Sequence, residues 1–69
     1  MSVAKNIEIT STSAVSFDDA AKLGIERASK TIENIRGAWI KEQKINVVDG
    51  KVAEYCVMLI LTFVLSDNE

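Results

Sequence analysis

The sequence predicts an α+β fold in which one helix packs on a three-stranded antiparallel sheet, with the elements in the order β-α-β-β. Three observations predict it: an alternating apolar pattern near the start of the chain, a helical apolar stripe after it, and two further extended runs joined by Asp49-Gly50. A chain of 69 residues is long enough for one domain, which we place over residues 1–69.

The first strand is predicted from about residue 3 to residue 11. Val3, Lys5, Ile7 and Ile9 mostly alternate in polarity with Ala4, Asn6, Glu8 and Thr10, a period of two residues that is typical of a half-buried strand. The cluster Ser-Thr-Ser at 11–13 then interrupts the alternation and predicts a loop.

The helix is predicted to begin after Ser16, a favoured N-cap residue, and to continue to Gly37, where a left-handed cap is expected. Apolar residues recur there at steps of three and four, which places them on one side of a helix. They are Phe17, Ala21, Ile25, Ala28, Ile32 and Ile35. Two interpretations stay open for Gly24 inside this helix: a tolerated surface glycine, or the close approach of another backbone.

Residues 38–48 form a second extended run, and Asp49-Gly50 after it is a favoured two-residue turn of a β-hairpin. A third strand follows from about Lys51 to Leu65, and both of its alternating sets of residues are apolar. One helix covers only one face of a small sheet, so the other face needs a second copy of the chain or a ligand. We therefore expect an oligomer. Placing this most apolar strand in the centre gives the strand order 1-3-2.

Composition excludes several classes of function. Eight Lys and Arg against ten Asp and Glu give a net charge of −2, without the basic excess of nucleic-acid-binding proteins. With no histidine and one cysteine, the chain has few zinc ligands and no imidazole base for a nucleophile. The apolar run from Cys56 to Leu61 is far too short to span a bilayer, and the first residues lack the apolar core of a signal peptide. We therefore expect a cytoplasmic protein without nucleic-acid or membrane partners.

The sequence resembles the dodecin family over nearly its whole length. The resemblance rests on several stretches in matching order and spacing: EITSTS at 8–13, SF at 16–17, IERASKT at 25–31, NI at 34–35, VDGKVAEY at 48–55 and TFVL at 62–65. It implies β-α-β-β protomers whose sheet wraps the helix, assembled as a hollow homododecamer. It also implies a protein that binds and stores flavin, either riboflavin or FMN, between tryptophan side chains, and that is not an enzyme.

The resemblance transfers the flavin site to this chain only in part. The stacking tryptophan of the family corresponds to Gly37, and its flavin-contacting glutamine corresponds to Cys56. Glu42 falls where the family commonly has an acidic residue near the ribityl chain of the flavin. Lys44 falls where many members have an arginine that can face a phosphate.

Trp39 offers a replacement for the missing tryptophan. It lies two residues after Gly37, so in a regular strand both residues lie on the same face, where Trp39 either stacks on flavin or packs at a subunit contact. Gln43 shares that face in a regular strand and is either a hydrogen-bonding partner of the ligand or a solvated residue. Cys56 is interpreted as a small apolar packing residue or as a reactive thiol. The candidate cofactor-binding residues are therefore Trp39, Gln43, Glu42, Gly37, Lys44 and Cys56.

An alternative interpretation is a dodecin-shaped assembly that has lost flavin binding, because Gly37 and Cys56 replace the usual residues. Such a shell would be structural or would bind another ligand, such as calcium or coenzyme A. Asp67, Asn68 and Glu69 offer oxygen ligands near the C-terminus, although the spacing of an EF-hand loop is absent and a solvated tail is the simpler interpretation. An enzyme that turns over a flavin-linked substrate is the third interpretation. Flavin sequestration in a dodecamer is the function that we predict.

Overall fold

The computed structural model describes residues 3–65, which form three strands and one helix. In chain order these elements are β1 (Ala4–Ser13), α1 (Phe17–Ala28), β2 (Ile35–Val48) and β3 (Lys51–Val64). The predicted element order β-α-β-β is therefore confirmed. Within the described part of the chain, no helix combines the length and the apolarity that crossing a bilayer requires.

The last strand, β3, lies in the centre of the sheet, and both of its neighbours are antiparallel to it. The predicted order 1-3-2 is confirmed. The register between β1 and β3 is unbroken from the pair Ala4 with Val64 to the pair Ser13 with Tyr55. Residues 11–13 therefore belong to β1, and their prediction as a loop is wrong. Pairing with a long central strand outweighs the local turn preference of serine and threonine.

Helix α1 begins as predicted. The Oγ of Ser16 accepts a hydrogen bond from the backbone N–H of Asp19 at 3.0 Å, which satisfies one of the free donors at the helix start. The Oδ2 of Asp19 in turn accepts a hydrogen bond from the Oγ of Ser13 at 2.6 Å. The first turn of the helix is thereby joined to the end of β1.

Helix α1 ends at Ala28, so the prediction that it continues to Gly37 is wrong. Asn34 has a φ of 63°, a left-handed conformation that a continuing α-helix excludes. Ile32 and Ile35 extend the apolar spacing of the helix, yet they reach the core from the connecting loop and from β2. Gly37 lies inside β2 and is not a helix cap.

The hydrophobic core lies between α1 and one face of β3. Val57, Leu59 and Leu61 are its fully buried large side chains, and Ala20 and Ala28 contribute the buried methyl groups of the helix. Small helix residues facing large strand residues allow the helix to lie close to the sheet. This packing leaves the second face of β3 uncovered by α1.

Gly24 lies where α1 packs tightly against the sheet. A Cβ atom built on it would lie 2.9 Å from the Cβ of Ser11 on β1 and 3.3 Å from the Cδ1 of Leu59 on β3. The interpretation as a surface glycine is wrong, because Gly24 is buried. The close neighbours that exclude a Cβ atom are the side chains of Ser11 and Leu59 and not another backbone.

The turn between β2 and β3 has the predicted geometry. Asp49 and Gly50 have φ values of 53° and 76°, and both values are positive as a type I′ turn requires. Aspartate and glycine tolerate this conformation better than most residues do.

Candidate functional site

The face of the sheet opposite α1, called the open face below, carries most of the predicted site residues. Residues directly opposite each other in antiparallel strands have their side chains on the same face. Alternation along β3 places its even-numbered residues from 56 to 62 on the open face, because the odd-numbered ones are buried against α1. Their partners on β2 form four pairs: Gly37 with Thr62, Trp39 with Ile60, Glu42 with Met58, and Lys44 with Cys56.

The predicted position of Gln43 is wrong. The register between β2 and β3 shifts at Lys41, which adds an extra residue to β2 in the manner of a β-bulge. Gln43 consequently lies opposite Val57, a core residue, and its side chain belongs to the face opposite that of Trp39. The shared face of Gly37 and Trp39 is confirmed, because the bulge follows both residues.

A cavity of about 270 Å³ lies beside the open face. Four predicted site residues line it together with one further side chain: Glu42, Gln43, Lys44, Cys56 and Met58. The cavity is smaller than the roughly 300–1,000 Å³ of typical small-molecule sites. One copy of the chain therefore provides only part of a site for a ligand as large as a flavin.

Trp39 and Gly37 lie on the same face but do not line the cavity. The Trp39 side chain is large and flat, and the residue is 53% exposed. The space around Gly37 is open, since a Cβ atom built there has no other heavy atom within 4 Å. Of these two positions, only Trp39 presents an aromatic surface for stacking.

Cys56 belongs to the central strand and lines the cavity. It is a free thiol with only 4% of its surface exposed, which agrees with its interpretation as a small packing residue. The neighbouring Met58 and Ile60 are half-buried, although α1 packs on the opposite face. The centre of the open face is therefore an apolar stripe flanked by polar and charged residues of β1 and β2.

Lys41 is a residue of this face that sequence reasoning missed. Its Nζ lies 3.1 Å from the Oε1 of Glu8 on β1, and the two side chains are 50% and 45% exposed. Glu8 lies opposite Ile60, so this ion pair crosses the open face above the central strand. Alternation from Trp39 was an available signal, because Lys41 follows Trp39 by two residues and shares its face in a regular strand.

The described residues show no preformed cation site. Among residues 3–65, no three His, Cys, Asp or Glu side chains are grouped closely enough to hold a metal ion. Within the same range, every buried side-chain nitrogen or oxygen has a hydrogen-bond partner. Asp67, Asn68 and Glu69, which were considered for calcium, lie outside the described residues.

Comparison with solved structures finds dodecins over almost the entire chain. Dodecin from Streptomyces coelicolor is 27% identical, with a TM-score of 0.91 over 97% of this chain and 96% of that one. Dodecin from Streptomyces davaonensis is 29% identical, with a TM-score of 0.91 over 96% of this chain and 97% of that one. A calcium-chelating antigen from Mycobacterium tuberculosis, named calcium dodecin, is 32% identical, with a TM-score of 0.82 over 97% of this chain and 96% of that one.

The sequence itself leads to the same family. No protein with a curated description matches the chain significantly. The sequence model of the dodecin family, in contrast, matches residues 3–66, which is nearly the full length. The chain therefore belongs to the dodecin family.

Proposed function

We propose that this dodecin binds flavin, either riboflavin or FMN, and stores it by sequestration in a cytoplasmic homododecamer without turning it over. The observation that carries the proposal is the position of Trp39. Its half-exposed indole lies on the open face, on the same side as the cavity that four other candidate residues line. Indole faces stack well on flat aromatic systems, and a flavin offers such a surface.

The residues around Trp39 suit the two chemical parts of a flavin. The apolar side chains of Ile60 and Met58 provide a surface on which a ring system loses contact with water. Glu42 and Lys44 place one acceptor and one cation near the cavity, where the hydroxyl groups or phosphate of a ribityl chain would find partners. Stacking in a water-poor site would quench the photochemistry of the flavin.

Membership of the dodecin family and the surface of this chain both support the proposed homododecamer. The open face contains an apolar stripe that α1 does not cover, and the cavity beside it is small for a flavin. Further copies of the chain would cover the stripe and enclose the ligand. Exposed apolar side chains on β2, among them Ile40, Ile45 and Val47, also favour contacts between copies.

Two positions favour a second candidate function, a dodecin-shaped shell without flavin. Gly37 stands where the family has its stacking tryptophan, and the space around it is open. Cys56 stands where the family has a glutamine. Such a shell would be structural or would bind calcium or coenzyme A, and one relative is named for its calcium binding. This alternative predicts a colourless protein of the same large size.

Flavin fluorescence distinguishes the two functions. We expect riboflavin and FMN emission to be quenched saturably by the wild-type protein. The Trp39→Ala variant should bind about tenfold more weakly or worse, because a lost aromatic stack of ~1.5 kcal/mol corresponds to that factor. Trp39→Phe should retain part of the affinity, since it keeps an aromatic face. Gly37→Trp should bind more tightly than wild type, because the space at that position is open.

Two controls accompany these titrations. Light scattering after size-exclusion chromatography should give a twelve-subunit mass for wild type and for Trp39→Ala, which shows that the loss of affinity is local. Val48→Ala, an exposed position near the hairpin turn, should leave flavin affinity unchanged. Equal affinities for wild type and Trp39→Ala would remove the stacking role. An absence of quenching by wild type would favour the shell without flavin.

A further inference from the structure

The ion pair between Glu8 and Lys41 joins the two outer strands across the central one. Neighbouring strands in a sheet lie about 4.8 Å apart, so β1 and β2 are separated by roughly 10 Å. The Nζ and Oε1 atoms are nevertheless only 3.1 Å apart. Both side chains must therefore extend over β3, and their charged groups meet above the apolar stripe of the open face.

This ion pair lies between Trp39 and the cavity. Glu8, Ile60 and Trp39 form one row across the three strands. The cavity begins at the next row, where Met58 is the central residue. On β2, Lys41 lies between these two rows, after Trp39 and before Glu42. A ligand that stacks on Trp39 and also reaches the cavity consequently meets the ion pair on its way.

Alternation along β2 explains how a cation reaches this position. Lys41 lies two residues after Trp39, so both side chains lie on the open face. The contact of Lys41 with Glu8 agrees with this position, and the register shift at Lys41 places Glu42 on the same face directly after it. The methylene groups of Lys41 can cover apolar surface while its ammonium group stays hydrated. The half-burial of Met58 and Ile60 is consistent with such a cover.

We propose, on the basis of the flavin function proposed above, that the Glu8–Lys41 pair is a salt-sensitive strap across the ligand site. The strap closes over the apolar stripe in the free protein and opens when a ligand bridges Trp39 and the cavity. Both side chains are about half exposed, so salt screens their attraction and opening them costs little. The strap therefore lowers ligand affinity modestly at low ionic strength and has no effect on it at high ionic strength.

The test compares riboflavin binding by wild type, Glu8→Gln, Lys41→Met and the double variant at low and at high salt. Riboflavin carries no net charge at neutral pH, so salt acts on the protein and not on attraction to the ligand. At low salt we expect each single variant to bind about two- to five-fold more tightly than wild type. The double variant should gain no more than one single variant, because both remove the same pair. At ~0.5 M salt the four affinities should converge.

Matched controls separate the strap from general charge effects. Lys22→Met and Glu26→Gln make the same charge changes on exposed positions of α1, on the opposite side of the sheet. Both controls should bind riboflavin as wild type does. Equal affinities in all proteins at low salt would overturn the strap. Weaker binding by Lys41→Met would also overturn it, because Lys41 would then be a ligand contact.

A second readout needs no flavin. Trp39 is the only tryptophan of the chain, so its quenching by acrylamide reports access to this part of the open face. At low salt the quenching constant should be higher in Glu8→Gln and Lys41→Met than in wild type, and only wild type should change as salt is added. If neither wild type nor any variant binds riboflavin, the proposed flavin function fails. Acrylamide quenching of Trp39 then tests the strap by itself. Equal quenching constants at both salt concentrations would then overturn it.

Discussion

Replacement of Gly24 by alanine tests the close contact between α1 and the sheet. At an unconstrained helix position this change would stabilise the protein by up to about 1 kcal/mol, because glycine is a poor helix former. Here the new methyl carbon would lie 2.9 Å from the Cβ and 3.1 Å from the Oγ of Ser11. It would also lie 3.3 Å from the Cδ1 of Leu59. Carbon atoms prefer separations of about 3.5–4.0 Å, so α1 and β1 would have to move apart.

The two effects on the free energy of unfolding have opposite signs. Adding a methyl group to a well-packed site costs about 1–3 kcal/mol, whereas the helix preference returns up to about 1 kcal/mol. We expect Gly24→Ala to lower the free energy of unfolding by a net ~1 kcal/mol. Urea unfolding measures it, at matched protomer concentration because the stability of an oligomer depends on concentration. A stabilised Gly24→Ala variant would refute the close-contact explanation.

A double-mutant cycle identifies the atoms responsible. Ser11→Gly removes both of the closest atoms, and the remaining contact is the Cδ1 of Leu59 at 3.3 Å. In this background Gly24→Ala should no longer destabilise, and should instead raise the free energy of unfolding by up to about 1 kcal/mol. If Gly24→Ala costs the same in both backgrounds, the contact with Ser11 is not its cause.

Two local features give further predictions, both measurable by urea unfolding. Ser16→Ala should lower the free energy of unfolding by about 1 kcal/mol, since it removes the acceptor for the Asp19 N–H. Ser29→Ala is the control and should lower it by less, because it loses only an exposed hydrogen bond from the Ser29 hydroxyl to the Ile25 carbonyl. Gly50→Ala should cost about 1–2 kcal/mol, because its φ of 76° is unfavourable for residues with a Cβ. Gly37→Ala, in open space inside a strand, is the control and should cost nothing. A Gly50→Ala variant as stable as wild type would contradict the turn geometry.

Local sequence patterns correctly predicted the features that depend only on neighbouring residues. The N-cap at Ser16 and the turn at Asp49-Gly50 depend on neighbouring residues, and both are confirmed. The end of the helix was not predictable in this way. Ile32 continues the apolar spacing of α1 although it lies outside the helix. The spacing indicates which residues contact the core, and it does not indicate the conformation of the backbone that connects them. The left-handed conformation of Asn34 depends on the tertiary fold, and it has no sequence signal that distinguishes it from a helical asparagine.

The candidate site was predictable in composition and only partly in geometry. Glu42, Lys44 and Cys56 line one cavity. A regular register from the Asp49-Gly50 turn would place Cys56 opposite Gln43, and the register shift between Asn46 and Val47 brings it opposite Lys44 instead. Regular alternation from Trp39 would put Gln43 on the same face as Trp39. The bulge at Lys41 reverses the faces of the residues that follow it in β2, so the prediction for Gln43 is wrong. A bulge is stabilised by pairing with β3 and by the contact with Glu8, both of which come from distant parts of the chain.

The central position of the last strand has a consequence for biosynthesis. In the sheet of residues 3–65, β1 and β2 pair with β3 and not with each other, and Ala4 finds its partner only at Val64. A growing chain that lacks β3 has a helix and two strands without hydrogen-bonding partners. Folding must therefore wait until nearly the whole chain has left the ribosome, and closing such distant pairs is slow compared with forming a helix. During that interval the unpaired strands of neighbouring nascent chains are free to meet, so they need protection from premature association.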